Sequence, residues 1–288
     1  MSKVAVLGLG AMGARIGARL LEAGHEVVVW NRTATKAEPL AEAGARVAAS
    51  PSDAAARTEV VITFVADPDA LRAVVGGPDG VATGVADGST VIEMSTVGPG
   101  TIEWLRSTLP EPVGLIDAPV QGSLEEAGSG RLTLWVGGPE ELVARWTPLL
   151  SILGEPIHVG GLGKGAATKL VTNATLVGTM TLLGETLALA DGLGVPRDIA
   201  FRALAATPLA AQAERRREPL STGAFPRRFD LSLASKDARL VLDAARESGT
   251  DPKVLRAAEE WFAAAERAGL GDRDYSEVLR TIVDRERG

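Results

Sequence analysis

Lys169 and Asn173 are the residues whose types and spacing could carry proton chemistry in this sequence. They lie four positions apart in a stretch that is predicted to be helical, which places both side chains on one face. A lysine in so apolar a helix is costly to bury unless it is paired or functional. A partly desolvated lysine has a lowered pKa and can exchange protons near neutral pH. The spacing alone leaves two hypotheses open: a catalytic lysine, or a lysine that reaches a helix end or a structural partner.

Histidine, the usual proton carrier, occurs only twice in 288 residues, and cysteine is absent. Without cysteine, disulfide scaffolds and Cys/His zinc sites are excluded, and we expect no metal site. His25 falls in a turn before a predicted strand, and His158 falls within a short predicted strand. Neither belongs to a cluster of reactive groups, so we predict structural or surface roles for both.

The charge balance is acidic, with a net charge of −7 and a pI of about 5.1. No general basic footprint therefore favours nucleic acid or an anionic membrane surface. The apolar stretch 170–184 is also shorter than the roughly 20 residues that a membrane-spanning helix needs. We expect neither nucleic acid nor a membrane as a partner, and a cytoplasmic location.

A glycine-rich turn follows the first predicted strand and opens the first predicted helix. It reads Gly8-Leu9-Gly10-Ala11-Met12-Gly13. In this context the glycines allow a tight turn and a close approach of the backbone to a pyrophosphate at the helix N-terminus. A purely structural turn is the alternative, but the strand–turn–helix context favours a dinucleotide site.

The tip of the second predicted strand bears on which dinucleotide is preferred. A site for NAD has Asp or Glu there, for the ribose hydroxyls. This chain has Asn31, Arg32 and Thr33 instead, with Lys36 a turn later. Arg32 can form a planar fork on a 2′-phosphate, and its neighbours can add hydrogen bonds. We therefore predict NADP, with NADPH preferred over NADH; the alternative is that Arg32 is an ordinary solvated loop residue.

Two kinds of element must position these residues. In the first half, short β-branched runs alternate with helical stretches, which is typical of βαβ units and a parallel sheet. The predicted strands are 4–8, 26–30, 60–65, 90–94, 115–118, 132–136 and 157–159. The second half shows no convincing strand, and its predicted helices are 166–190, 196–206, 209–217, 233–248 and 252–268. We predict an α/β protein with an N-terminal Rossmann domain, a doubly wound parallel sheet over 1–162. An all-α domain over 163–288, for substrate binding and dimerisation, would follow it.

Several ordered motifs, over nearly the whole length, resemble one family. Besides the glycine-rich turn, they are Met94-Ser95-Thr96-Val97, then Asp117-Ala118-Pro119-Val120-Gln121-Gly122-Ser123, then Gly161-Leu162-Gly163-Lys164-Gly165-Ala166-Ala167-Thr168-Lys169 continuing to Asn173, and finally Phe229 with Leu233 and Lys236-Asp237. This pattern is similar to the β-hydroxyacid dehydrogenases, in the superfamily of 6-phosphogluconate dehydrogenase. That family includes 3-hydroxyisobutyrate dehydrogenase and glyoxylate/succinic semialdehyde reductase.

The resemblance implies roles for the matching positions. Lys169 would be the general acid that protonates a carbonyl oxygen as hydride arrives, and Asn173 would orient it and the substrate. Residues on the substrate side would be Thr96, Val120, Gln121, Gly122, Ser123, Phe229 and Asp237. Residues on the cofactor side would be Gly8, Leu9, Gly10, Ala11, Met12, Gly13, Asn31, Arg32, Thr33, Lys36, Val65, Ala66, Pro68, Thr96 and Lys236.

Gln121 departs from the family pattern, which usually has serine at that position. An amide can still donate hydrogen bonds, but with a different reach. Two hypotheses stay open: backbone N–H groups carry recognition and Gln121 is a tolerated variant, or the substrate has changed. Arg215-Arg216-Arg217 and Arg227-Arg228 also leave two, a solvated helix face or an electrostatic funnel for an acidic substrate.

The leading functional hypothesis is an NADPH-dependent oxidoreductase acting on a small β-hydroxy acid, semialdehyde or keto acid. The alternative is an imine reductase or reductive aminase, although those relatives usually lack the lysine and carry Asp or Tyr there. A third hypothesis is a non-catalytic binding module, which the intact Lys169 disfavours. The long apolar helix and the family both favour a homodimer or a tetramer. The sequence does not name the substrate or the direction of the reaction.

Overall fold

β-Branched residues build nine strands, β1 to β9, in the first part of the chain. In the computed structural model, which describes residues 1–285, their bounds are β1 Lys3–Leu7, β2 Glu26–Trp30, β3 Arg46–Val47, β4 Val60–Thr63, β5 Thr90–Glu93, β6 Gly114–Asp117, β7 Val120–Gln121, β8 Leu132–Gly137 and β9 Gly154–Gly160. They form one sheet in the order β3-β2-β1-β4-β5-β6-β8-β7, and β9 pairs with β8. The first six strands of that order are parallel.

The strands are apolar on both faces because helices cover both faces of the sheet. β4 is buried at each of its residues, and two separate apolar clusters lie on opposite sides of the sheet. The helices here are α1 Ala11–Glu22, α2 Glu38–Glu42, α3 Pro51–Ala55, α4 Pro68–Gly76, α5 Val81–Gly84, α6 Pro99–Thr108, α7 Leu124–Ser129 and α8 Glu140–Leu150. β1 lies between β2 and β4, where the strand order reverses, and such a reversal opens a crevice at the carboxyl ends of the strands.

The second part of the chain is helical. Its elements are α9 Lys164–Gly192, α10 Arg197–Leu204, α11 Ala210–Thr222, α12 Leu231–Glu247, α13 Lys253–Ala265 and α14 Val278–Arg285. They surround their own apolar core, with Phe262 and Met180 among its fully buried members. Over residues 1–285, no helix has both the length and the apolar character needed to cross a bilayer.

The predicted fold class is confirmed: a mostly parallel Rossmann-type sheet is followed by a helical region. All seven predicted strands exist, whereas β3 and β7 were missed because two residues are too few to show a pattern. α11 continues beyond the predicted end at 217, and α14 was not predicted. The chain divides into two compact units, Met1–Lys169 and Leu170 onward. The domain boundary after residue 162 stays a prediction.

Candidate active site

The glycine-rich turn leaves β1 and enters α1 with space for a ligand at the helix N-terminus. Gly8 has a φ of 98°, in the region that favours glycine, and a Cβ there would overlap the carbonyl oxygen of Phe64. A Cβ at Gly13 would overlap the carbonyl oxygen of Gly8, so α1 can approach the turn only without one. At Gly10, by contrast, a Cβ would meet nothing within 4 Å. No side chain caps α1 and its first turn has no acidic residue, so its N–H groups suit a phosphate.

Of the four predicted residues at and after the β2 tip, one is hydrogen-bonded to the glycine-rich turn and three are exposed. Asn31 accepts a hydrogen bond from the Leu9 amide at 2.8 Å and donates one to the carbonyl oxygen of Thr33 at 2.9 Å. The Asn31 side chain therefore ties the glycine-rich turn to the β2 loop. The side chains of Arg32, Thr33 and Lys36 are exposed beside it. Two of these exposed side chains are cationic, which suits an anionic group on the ribose.

A buried carboxyl group occupies the end of β5. Glu93 is fully buried, and it accepts hydrogen bonds from the Thr63 hydroxyl and from the Ser95 amide, the latter at 2.6 Å. The Ser95 hydroxyl in turn accepts a hydrogen bond from the Val65 amide at 2.8 Å. Burial raises the pKa of Glu93 to about 7, against the lowering effect of these hydrogen bonds.

A second buried carboxyl group lies at the end of β6. Asp117 accepts hydrogen bonds from the amides of Gly163 at 2.7 Å and Ala166 at 2.6 Å. These amides belong to the start of α9, so Asp117 fixes the N-terminus of the helix that carries Lys169. Burial raises the pKa of Asp117, and the two N–H groups oppose that rise.

Lys169 contacts Gln121, at the position where the pattern expected from the sequence has serine. The half-buried Lys169 donates a hydrogen bond from Nζ to Oε1 of Gln121 at 3.2 Å. Gln121 ends the short strand β7, which pairs with β8 opposite Thr133. The structure thus brings together two of the predicted site residues of the first unit.

The rest of the predicted substrate turn is occupied by local hydrogen bonds. Ser123 caps α7, and its amide and hydroxyl both donate to Oε2 of Glu126, at 2.7 and 2.5 Å. These bonds lower the pKa of Glu126. Gly122 has a φ of 134°, and Val120 is buried. Gln121 and the backbone of Gly122 are therefore the exposed groups of this turn.

In the second unit, three predicted residues form one group, joined by a hydrogen bond and an ion pair. Asn173 donates from Nδ2 to Oδ2 of Asp237 at 2.7 Å, and Nζ of Lys236 lies 2.7 Å from Oδ1 of the same carboxylate. Asn173 and Asp237 are both buried. A buried carboxylate that receives a cation and an amide in this way fixes the orientation of both.

The other predicted positions are placed as follows. Ala11 and Met12 lie in the first turn of α1, and Pro68 is the first residue of α4. Ala66 lies in the loop after β4 and Thr96 in the loop after β5, and all five are partly or fully exposed. Phe229 packs its ring against Tyr275, with centroids 5.7 Å apart.

Neither histidine carries a catalytic arrangement. Nε2 of His158 lies 3.0 and 2.9 Å from the carbonyl oxygens of Gly138 and Gly160, so it stabilises the β9 edge. Nδ1 of His25 accepts a hydrogen bond from the Ser2 amide.

Most of the arginine groups near α11 have structural partners. Arg216 donates to the Tyr275 hydroxyl at 2.6 Å, Arg217 stacks on Phe201, and Arg227 pairs with Asp230. These contacts favour the structural interpretation of the arginines over a funnel.

Sequence reasoning missed Glu93 and assigned no role to Asp117. The pairing register puts Thr63 beside Glu93 and Glu93 beside Asp117, in one row across three strand ends. A usable signal was present, because each carboxyl residue closes an apolar strand at the edge where sites form in parallel sheets.

Two family models cover the chain almost end to end. Residues 3–162 match the NAD binding domain of 6-phosphogluconate dehydrogenase. Residues 163–282 match the NAD-binding domain of NADP-dependent 3-hydroxyisobutyrate dehydrogenase.

Individual relatives agree with those models. Glyoxylate/succinic semialdehyde reductase 1 of Arabidopsis thaliana is 32% identical over 97% of this chain and 98% of its own length. The 3-hydroxyisobutyrate dehydrogenase of Mycobacterium tuberculosis, solved with L-serine, superposes with a TM-score of 0.87 at 27% identity, over 98% of this chain and 99% of that one. An imine reductase of Myxococcus stipitatus, at 20% identity and a TM-score of 0.67 over 98% and 99%, shares the fold.

Relatives match this chain over nearly its full length, and the glycine-rich turn and the lysine on α9 agree with the same family. The chain belongs to the β-hydroxyacid dehydrogenase family of NAD(P)-dependent oxidoreductases.

Proposed function

We propose that this protein is an NADPH-dependent reductase of a small semialdehyde or keto acid, or a dehydrogenase of the matching β-hydroxy acid, with Lys169 as general acid/base. The observation that carries the proposal is the hydrogen bond from Lys169 Nζ to Gln121. It holds an ammonium group beside an exposed turn whose motif matches the substrate turn of the family. A bound nicotinamide supplies the hydride.

Lys169 gives its proton to the carbonyl oxygen during reduction and removes the alcohol proton in the reverse direction. Gln121 accepts one N–H of the ammonium group, which carries three N–H donors in all. Asn173 orients the substrate, with its own amide held by Asp237.

The decisive experiment compares Lys169→Ala with Lys164→Ala, an exposed lysine at the start of the same helix. General acid catalysis is worth about 10²-fold or more, so kcat of Lys169→Ala should fall by at least that factor. NADPH binding, followed by its fluorescence, should persist in both variants. A Lys169→Ala enzyme that kept more than about a tenth of the wild-type kcat would remove Lys169 from the mechanism.

The cofactor preference rests on the β2 tip. The exposed Arg32 and the absence of a carboxylate at 31–33 support NADPH over NADH. Arg32→Ala should lower kcat/KM for NADPH by about tenfold, the value of a charge-assisted hydrogen bond. The value for NADH, which lacks the 2′-phosphate, is the internal control and should stay unchanged. A wild-type preference for NADH would contradict the assignment.

A substrate panel separates the competing functions. It runs with NADPH from glyoxylate through semialdehydes and 3-hydroxy acids to cyclic imines. Fastest turnover of an imine would favour the imine reductase hypothesis. The imine reductase of Myxococcus stipitatus shares this fold. Tight NADPH binding without turnover of any compound would favour a binding module.

We also propose a homodimer and a cytoplasmic location. The dimer is supported by exposed apolar side chains on one face of α9, at Val171, Leu182 and Leu189, with Leu193 just beyond its end. Their spacings of eleven, seven and four residues keep them on one face of a helix. Fractionation of the producing cells would test the location.

A further inference from the structure

A chain of buried hydrogen bonds joins the ends of β4 and β5. It runs from the Val65 amide to the Ser95 hydroxyl, and from Ser95 to the carboxyl group of Glu93, which the Thr63 hydroxyl also contacts. We call these four residues the Glu93 network. All of its links lie within the first unit.

A carboxyl group is an expensive choice at this position. Glu93 is fully buried, and a buried carboxylate is costly unless several donors satisfy it. An apolar side chain would fill the end of a buried strand at lower cost. The residue therefore needs a role that a purely apolar core would not supply.

The role follows from what the donors belong to. Val65 and Ala66 lie in the loop between β4 and α4, and Pro68 is the first residue of α4. Thr96 follows Ser95 directly in the loop after β5. Val65, Ala66, Pro68 and Thr96 are cofactor contacts that the family resemblance implies for these two segments.

We infer that Glu93 is a positioning residue for nucleotide binding, which acts through Ser95 on the Val65 amide and so holds both loops in one geometry. The inference rests on the proposed function for the identity of the nucleotide. Glu93 accepts from the Ser95 amide at 2.6 Å, which fixes the backbone that carries the Ser95 hydroxyl. The Ser95 oxygen then keeps a lone pair directed at Val65 N–H.

The neighbouring charged group makes the ionised form of Glu93 less favourable. Asp117 is the neighbour of Glu93 in the pairing register, and its negative charge opposes ionisation of Glu93. Thr63 and Ser95, the other polar groups bonded to Glu93, are uncharged. Asp117 has its own donors at the start of α9, so the two carboxyl groups hold different segments.

The test compares Glu93→Gln, Ser95→Ala and the double variant. Gln keeps the volume but replaces one acceptor oxygen by a donor, so the contact with Ser95 or Thr63 is lost. We expect the Kd for NADPH, measured by fluorescence, to rise about tenfold in each single variant. The double variant should be no weaker than either, because Glu93 acts through Ser95. In the absence of nucleotide, hydrogen exchange at the Val65 amide should accelerate in all three.

Thr90→Val is the matched control. Thr90 is buried on the same strand, at its other end, and its hydroxyl has no hydrogen-bond partner among the described residues. This variant should keep the wild-type Kd and Val65 exchange rate.

Two results would overturn the inference: an unchanged Kd and Val65 exchange in Glu93→Gln, or effects of the two single variants that add. If Glu93→Gln does not fold, Ser95→Ala alone decides through the same two measurements. A wild-type protein that binds neither NADPH nor NADH would reject the proposed function instead, while Val65 exchange would still report on the network.

Discussion

Gln121 is an exposed residue that accepts a hydrogen bond from Lys169. Its amide oxygen lies 3.2 Å from the ammonium nitrogen of Lys169, whereas a serine hydroxyl at this position would have a shorter reach. The exposed side of the turn is therefore shaped by this one residue, since the donors of Ser123 are taken by Glu126.

Replacing Gln121 tests whether it orients the ammonium group. Gln121→Leu keeps much of the size but loses the acceptor, so kcat should fall by about tenfold, the worth of a hydrogen bond to a charged group. The Kd for NADPH should not change. Gln121→Asn, which keeps the amide on a shorter stem, is the matched variant and should lose less. Full kcat in the Leu variant would show that the amide is dispensable.

The raised pKa of Glu93 predicts that the stability of the folded protein depends on pH. Its pKa in the folded protein is about 7, above the ordinary value of 4.5. The folded state then binds more protons than the unfolded state between these values, so stability falls as pH rises from about 4.5 to about 7. The full effect corresponds to about 3 kcal/mol.

Glu93→Gln removes this titration, because its amide is neutral throughout. In thermal unfolding at pH 5 and pH 8, the variant should gain stability relative to the wild type at the higher pH. A difference in Tm that is equal at both values would mean that Glu93 does not titrate in this range.

At the scale of elements, two glycines of the turn between β1 and α1 have different roles, one in packing and one in leaving space for a ligand. Gly13 permits the helix to approach the turn, whereas Gly10 leaves open space in front of the helix N-terminus. Gly13→Ala should destabilise the protein without nucleotide by roughly 1–3 kcal/mol, the usual cost of overpacking.

Gly10→Ala is the matched variant. Its φ of −69° suits alanine, so its Tm without nucleotide should equal that of the wild type. Its affinity for NADPH should fall by about tenfold or more, because the methyl group fills the space that a pyrophosphate needs. Equal affinities of Gly10→Ala and the wild type would place the pyrophosphate elsewhere.

The local hydrophobic pattern of the sequence predicted most of these elements. Where it missed an element or the end of one, a physical reason can be given. β2 matches its predicted bounds because its valines are buried and Trp30 ends the run. β3 and β7 have two residues each and exist only through pairing with β2 and β8. α11 extends past a charged arginine run to Gly223, whose φ of 73° ends it.

At the scale of the whole molecule, the exposed apolar face of α9 predicts association. Light scattering should give about twice the chain mass of 29.8 kDa, or four times that mass for a tetramer. Leu189→Glu should shift the mass towards the monomer, because it places a charge in a face that would be desolvated. Val47→Glu, at an exposed valine on β3, is the control and should not. A monomeric wild-type protein would contradict the proposed dimer.

The sequence by itself determined the fold class and the family, because these depend on local periodicity and on ordered motifs. The same motifs single out the glycine-rich turn and Lys169 as candidate site residues. Tertiary structure alone decided that Gln121 accepts from Lys169 and that Glu93 and Asp117 stand side by side. These pairs are joined by strand register and by side-chain reach. Such contacts arise only when residues distant in the chain are packed together, so no spacing along the sequence encodes them.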